Sequence, residues 1–81
     1  MGVGVAENQT FGYAANPVDL GAFLRAIREE RELTQEDLAA DLGITRQYLA
    51  ELEAGKPTLY ATRLFGVLRL LGIRLKLEAT P

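Results

Sequence analysis

Only three residues, Gly43-Ile44-Thr45, separate two short apolar-patterned segments, and each segment carries its own start and stop signals. Upstream, Thr34 can cap a helix, and Asp37 at the third helical position completes a capping-box-like pair. Leu33 before that cap and Leu38 after it form a hydrophobic staple, and Gly43 suits the left-handed conformation that ends a helix. Downstream the grammar repeats. Thr45 caps, Ile44 staples to Leu49, and Ala54-Gly55 closes the helix ahead of a Lys56-Pro57 exit turn. Ala39 is small enough to let the second of these helices cross the first closely, while Ile44, Leu49 and Leu52 pin it to a core.

The rest of the chain is arranged around this unit. At 81 residues there is room for one domain only. Residues 1–15 hold three glycines and no periodic pattern, and are expected to form a flexible N-terminal arm. Phe11 and Tyr13 within it are candidates to dock on a partner or on the domain. Asn16-Pro17 reads as a helix cap and first helical residue. Leu20, Phe23, Leu24 and Ile27 then mark one face of a helix ending near Glu32. A fourth helix, about Tyr60 to Leu71, is expected to bury Leu64, Phe65, Leu68 and Leu71. After Gly72, the apolar residues Ile73, Leu75 and Leu77 alternate with Arg74, Lys76 and Glu78, a one-sided strand. The reading is therefore an all-α domain of four to five helices over residues 16–72, with a dimerisation strand and tail over 73–81.

Composition narrows the function. The chain has no cysteine and no histidine, so disulfides, thiolate zinc sites and the commonest general base are absent. No glycine-rich phosphate loop precedes a helix, and Glu29, Glu30 and Glu32 read as a solvated face. An enzyme is not expected, nor a metal or cofactor. Hydrophobic residues at 48% and charged residues at 25% describe a globular chain. No secretory signal or membrane-spanning run is evident, which points to the cytoplasm and, for a DNA binder, the nucleoid. The net charge of −2 argues against a general polyanion binder. Residues 34–58 hold two basic and five acidic side chains, so nucleic-acid binding must rest on a few well-placed groups.

Two helices meeting at so tight a turn read as a helix-turn-helix, whose second helix is the one offered to the DNA major groove. At 100° per residue, Leu49 and Leu52 mark its inner side, while Gln47, Ala50, Glu51 and Ala54 face away. Arg46 sits at the edge of the outer face. It can donate bidentately to guanine, as Gln47 can pair with adenine and Ala50 can meet a thymine methyl. Thr45, Arg46, Gln47, Ala50 and Glu51 are the base-facing candidates. Thr34, Gln35, Tyr48 and Lys56 flank them as phosphate contacts. Glu53 falls on the core-flanking side, and a partly buried carboxylate needs a partner, for which Arg28 is the candidate.

The run LTQEDLAADLGITRQYLAELEAGK resembles the DNA-binding core of the phage repressor and Cro superfamily, the xenobiotic-response-element type, over about residues 20–72. The resemblance implies backbone contacts at Gln35 and Lys56, base-facing positions at Thr45, Arg46, Gln47 and Glu51, and a structural ion pair between Arg28 and Glu53. Ala50 departs from the serine common there and removes a hydroxyl contact. With LGAFLRAIREERELTQEDLA, ELEAGKPT and LFGVLRLLGIRLKLE, the chain also resembles HipB-type antitoxins. That resemblance implies a homodimer built on the final strand, a palindromic operator in double-stranded DNA, and a HipA-type Ser/Thr kinase toxin as partner. Since no other segment shows apolar alternation, the strand is expected to pair with its own copy through Ile73, Leu75 and Leu77, centred on Lys76. A stand-alone phage-type or restriction-controller repressor, and an interaction module without DNA binding, are the alternatives.

Overall fold

The computed structural model describes residues 3–6 and 9–81. In chain order the elements are β1 (Val3–Ala6), β2 (Gln9–Ala14), α1 (Pro17–Glu30), α2 (Gln35–Leu42), α3 (Arg46–Ala54), α4 (Leu59–Leu70) and β3 (Leu75–Ala79). Each helix begins where a side-chain oxygen takes up an otherwise orphaned backbone N–H. Asn16 accepts from the Asp19 N–H at 2.8 Å, and Asp19 reaches back to the Ala15 N–H at 2.9 Å. Thr34 and Asp37 form the reciprocal capping box, at 3.0 and 3.2 Å. Thr45 and Thr58 cap α3 and α4 by accepting from Tyr48 and Ala61.

The helix ends are as local in origin. Gly43 takes φ 69°, so the chain reverses between α2 and α3 without side-chain strain. Just past α1, Glu32 adopts φ 57°, a conformation that costs a residue with a Cβ about 1–2 kcal/mol.

α1 crosses α3 closely because Gly21 lies against the backbone carbonyls of Leu52 and Glu53, where a Cβ would overlap them. A glycine inside a helix sacrifices about 1 kcal/mol of propensity, and this contact is its reason. The buried apolar residues are Ala14, Phe23, Ala39, Leu49 and Phe65, from β2 and all four helices.

Three expectations are corrected. First, the described part of the expected arm forms two strands, and the domain is not all-α. Positions 1, 2, 7 and 8 of that arm lie outside the described residues. β2 pairs antiparallel with both β1 and β3, in the order β1-β2-β3. The final strand thus finds its partner within the chain, with Thr10 opposite Ala79, Gly12 opposite Leu77 and Ala14 opposite Leu75. The inward residues of β2 are small, so it carries no bulky apolar alternation. Phe11 and Tyr13 take the other face, where Lys76 and Arg74 lie 5.3 and 5.1 Å from their ring centres. Second, Leu52, Leu64, Leu71 and Ile73, all assigned to buried faces, are exposed, and Ile73 precedes β3. α4 packs through Phe65, and nothing among the described residues covers its Leu64 and Leu71 side. Third, Glu30 is more than a solvated charge: it accepts a 2.9 Å bond from the buried Thr10 hydroxyl, joining β2 to α1.

Two substitutions test this account. Gly21→Ala should push α1 off α3 and cost about 1–3 kcal/mol, read as a fall in the urea midpoint at constant slope. Glu32→Gly should relieve the left-handed strain and raise stability by about 0.5 kcal/mol, since glycine's entropic cost offsets part of the gain.

Candidate nucleic-acid interface

The site is organised from a buried ion pair outward. Arg28 on α1 donates from Nε and Nη2 to the two carboxylate oxygens of Glu53 on α3, at 2.7 and 3.0 Å. Its Nη1 donates to the Leu33 carbonyl at 2.7 Å, fixing the turn into α2. The side chains are 9% and 3% exposed, so the planar fork is spent inside the domain rather than on a ligand. The guanidinium bond holds the Glu53 carboxyl below its ordinary range despite the opposing effect of burial, and a bond from Gln35 acts the same way. Arg28 is correspondingly raised by Glu53.

From this anchor the order passes to the exposed face. Gln35, the first residue of α2, donates from Nε2 to Glu53 Oε1 at 3.0 Å, and its own Oε1 accepts from Arg46 Nη1 at 3.0 Å. A carboxylate can only accept and a guanidinium can only donate, so the two bonds fix which way the Gln35 amide points. Gln35 is half-buried, a bridge as much as a surface contact. Nothing in sequence spacing signalled that second role, because the Gln35–Arg46 contact spans the turn and depends on how α3 crosses α2.

At the start of α3, Thr45, Arg46, Gln47 and Tyr48 are all exposed, with Thr45 also serving as the cap. One turn later Ala50 and Glu51 are half-buried, which moves them toward the margin of the face. Lys56 is bonded to Glu51 at 3.3 Å, so a candidate phosphate contact and a candidate base contact neutralise one another. Thr34 is exposed at the N-terminus of α2. Beside it, a shallow depression of about 780 Å³ is lined by Arg25, Arg28, Thr34, Gln35 and Arg46 together with Glu29, Glu32 and Glu36. Arg25, bonded to Glu29 at 3.5 Å, is a cation that the helix pattern did not single out. Thr45, Arg46, Gln47 and Tyr48 thus form an exposed cap and first turn of α3, with Thr34 and Gln35 across the turn from it.

This geometry defines a helix-turn-helix protein: a short helix, a left-handed glycine turn, and a capped second helix with a free N-terminal face. The chain belongs to the helix-turn-helix family whose model matches residues 24–77. It is 38% identical over 63 residues to the uncharacterized HTH-type transcriptional regulator y4mF of Sinorhizobium fredii, covering 78% of this chain and 83% of that protein. No solved structure matches the chain significantly. Membership makes it a DNA-binding regulator of the helix-turn-helix type, not an enzyme. Among the described residues, no helix is long and apolar enough to cross a membrane.

Because folding lowers the pKa of Glu53, the stabilisation it brings is fully present above the ordinary carboxylate range. It is lost as pH falls through the lowered native value. Urea unfolding across that acid window should show a steep loss of stability in the native protein and a shallower one in Glu53→Gln. Glu53→Ala, which leaves the Arg28 charge buried and unpaired, should cost about 3–5 kcal/mol at neutral pH.

Proposed function

We propose that this protein is a sequence-specific repressor that binds a palindromic operator as a homodimer and controls its own operon. The observation that carries the proposal is the exposed first turn of α3, with Arg46 held by Gln35 and through it by the buried pair. The N-terminal end of a recognition helix is the part that enters the major groove. An arginine already oriented by the protein gives up less side-chain freedom when it binds a guanine edge. Arg46 and Gln47 read bases in this account, with Thr45, Ala50 and Glu51 alongside. Thr34, Gln35, Tyr48 and Lys56 meet the phosphates, Lys56 after exchanging Glu51 for a phosphate oxygen. Two such helices related by a two-fold would reach half-sites about 34 Å apart. The description of the Sinorhizobium relative as a transcriptional regulator supports the same reading.

The resemblance to HipB-type antitoxins extends the proposal. The protein would bind and neutralise a HipA-type Ser/Thr kinase toxin made alongside it. This part rests on family analogy.

A gel shift on the DNA upstream of the protein's own reading frame, with and without the product of the neighbouring frame, tests both parts. Arg46→Ala and Gln47→Ala should each relax base preference and cost about 1–3 kcal/mol of operator binding. Lys56→Ala should weaken all sequences alike and flatten the salt dependence. Unchanged affinity and preference in Gln47→Ala would remove α3 from the groove.

A further inference from the structure

One chain of this protein exposes more surface than a self-sufficient domain of its mass. Its accessible area is 5902 Å², whereas a folded monomer of 8.9 kDa is expected to expose about 4,800 Å². The radius of gyration, 13.3 Å, likewise exceeds the roughly 11.7 Å of a compact chain of this length. The molecule is a slab, 37 × 34 × 16 Å along its principal axes. The excess of about 1,100 Å² is more than the roughly 800 Å² that each partner contributes to an ordinary stable interface.

Exposed large apolar side chains gather on two identifiable surfaces. One is a groove of about 370 Å³ between α1, α2 and α3, lined by Leu24, Leu38, Leu42, Leu49 and Leu52, with Arg28, Arg31 and Ala79 also in its wall. Leu42 and Leu52 in its wall are 59% and 44% exposed. The other is a stripe on α4: Tyr60, Leu64, Val67 and Leu71 recur at i, i+4, i+7 and i+11 and are 43–79% exposed.

The stripe cannot fill the groove of its own chain in this fold. α4 already uses its Phe65 side, which is buried and lines an apolar cleft with Ala14 and Leu75. Turning the stripe inward would take Phe65 out. A helix with two apolar sides, one of them satisfied, has a use for the second only in another molecule. The apolar groove and the apolar stripe of the same chain can bury one another, and a two-fold axis satisfies both at once and closes the assembly at two copies.

We infer that the α4 stripe of each copy seats in the α1–α2–α3 groove of the other, forming the dimer on which the proposed operator reading rests. This moves the interface from β3 to α4. The groove is walled partly by Leu49 and Leu52 of α3, so the seated helix bears directly on the recognition helix.

The absence of cysteine makes a direct test available. An equimolar mixture of Leu42→Cys and Leu64→Cys chains should form a covalent heterodimer on mild oxidation, while neither variant links to itself. Self-linking of Leu64→Cys without the mixed product would mean stripe against stripe. Self-linking of Lys76→Cys without it would mean pairing of β3 edges. Either overturns the inference. In parallel, Leu64→Glu and Leu42→Glu, each at a side chain exposed in the single chain, should keep the native circular dichroism. Each should weaken self-association in sedimentation by at least about tenfold. Folded variants that sediment like the native chain would also overturn it. A native chain that is dimeric through these surfaces yet shifts no upstream DNA would instead sink the proposed function and leave the interface standing.

Discussion

The bidentate bond between Arg28 and Glu53 is the constraint on which the geometry of the exposed N-terminal end of α3 depends. It joins α1 to the end of α3 across the interior, and the third guanidinium nitrogen holds the carbonyl of Leu33, where the chain turns into α2. One side chain therefore fixes three segments relative to one another. Buried charges are seldom a net source of stability, because desolvation offsets most of their attraction. What the pair provides here is direction. An apolar contact of equal volume would permit α3 to slide or rotate by small amounts, whereas a planar fork on a carboxylate does not.

Direction then reaches the surface through Gln35. Its amide spans a carboxylate that only accepts and a guanidinium that only donates, so its orientation is determined at both ends. Arg46 is exposed to solvent, yet tied through Gln35 to one of the least exposed side chains in the domain. The close seat of Gly21 under the carbonyls of Leu52 and Glu53 serves the same end sterically, by keeping α3 at a fixed distance from α1.

How much of this was legible depended on whether the cause was local. The caps at Asn16, Thr34 and Thr45 and the stop at Gly43 are written in adjacent residues and are read directly. The sheet was not legible. β2 turns Thr10, Gly12 and Ala14 inward, residues whose buried surface is too small to mark a period of two, and its larger side chains, Phe11 and Tyr13, face outward. Without that strand, β3 looked unpartnered. The burial of α4 was misjudged for a related reason. Periodicity finds an apolar face but not which neighbour covers it, and α4 has two such sides, only one of them met by Phe65's surroundings. At the candidate site, the outer face of α3 followed from the helical wheel. The bridge through Gln35 and the Glu51–Lys56 pairing depend on distances between elements that no spacing encodes.

The pairing of β2 with β3 sets Thr10 beside Ala79 and Ala14 beside Leu75, so the sheet encloses every helix within one long chain closure. The contacts of α2 with α3, by comparison, span a few residues around Gly43. Closing a long loop requires an entropic outlay before any contact rewards it, and local contacts form first. On this entropic ground the helix pair around Gly43 is the contact that forms at least cost, and the β2–β3 closure is the one that costs most. The helix-turn-helix unit thus depends least on long-range chain closure, whereas the strands that tie the segment before α1 to the segment after α4 depend on it most.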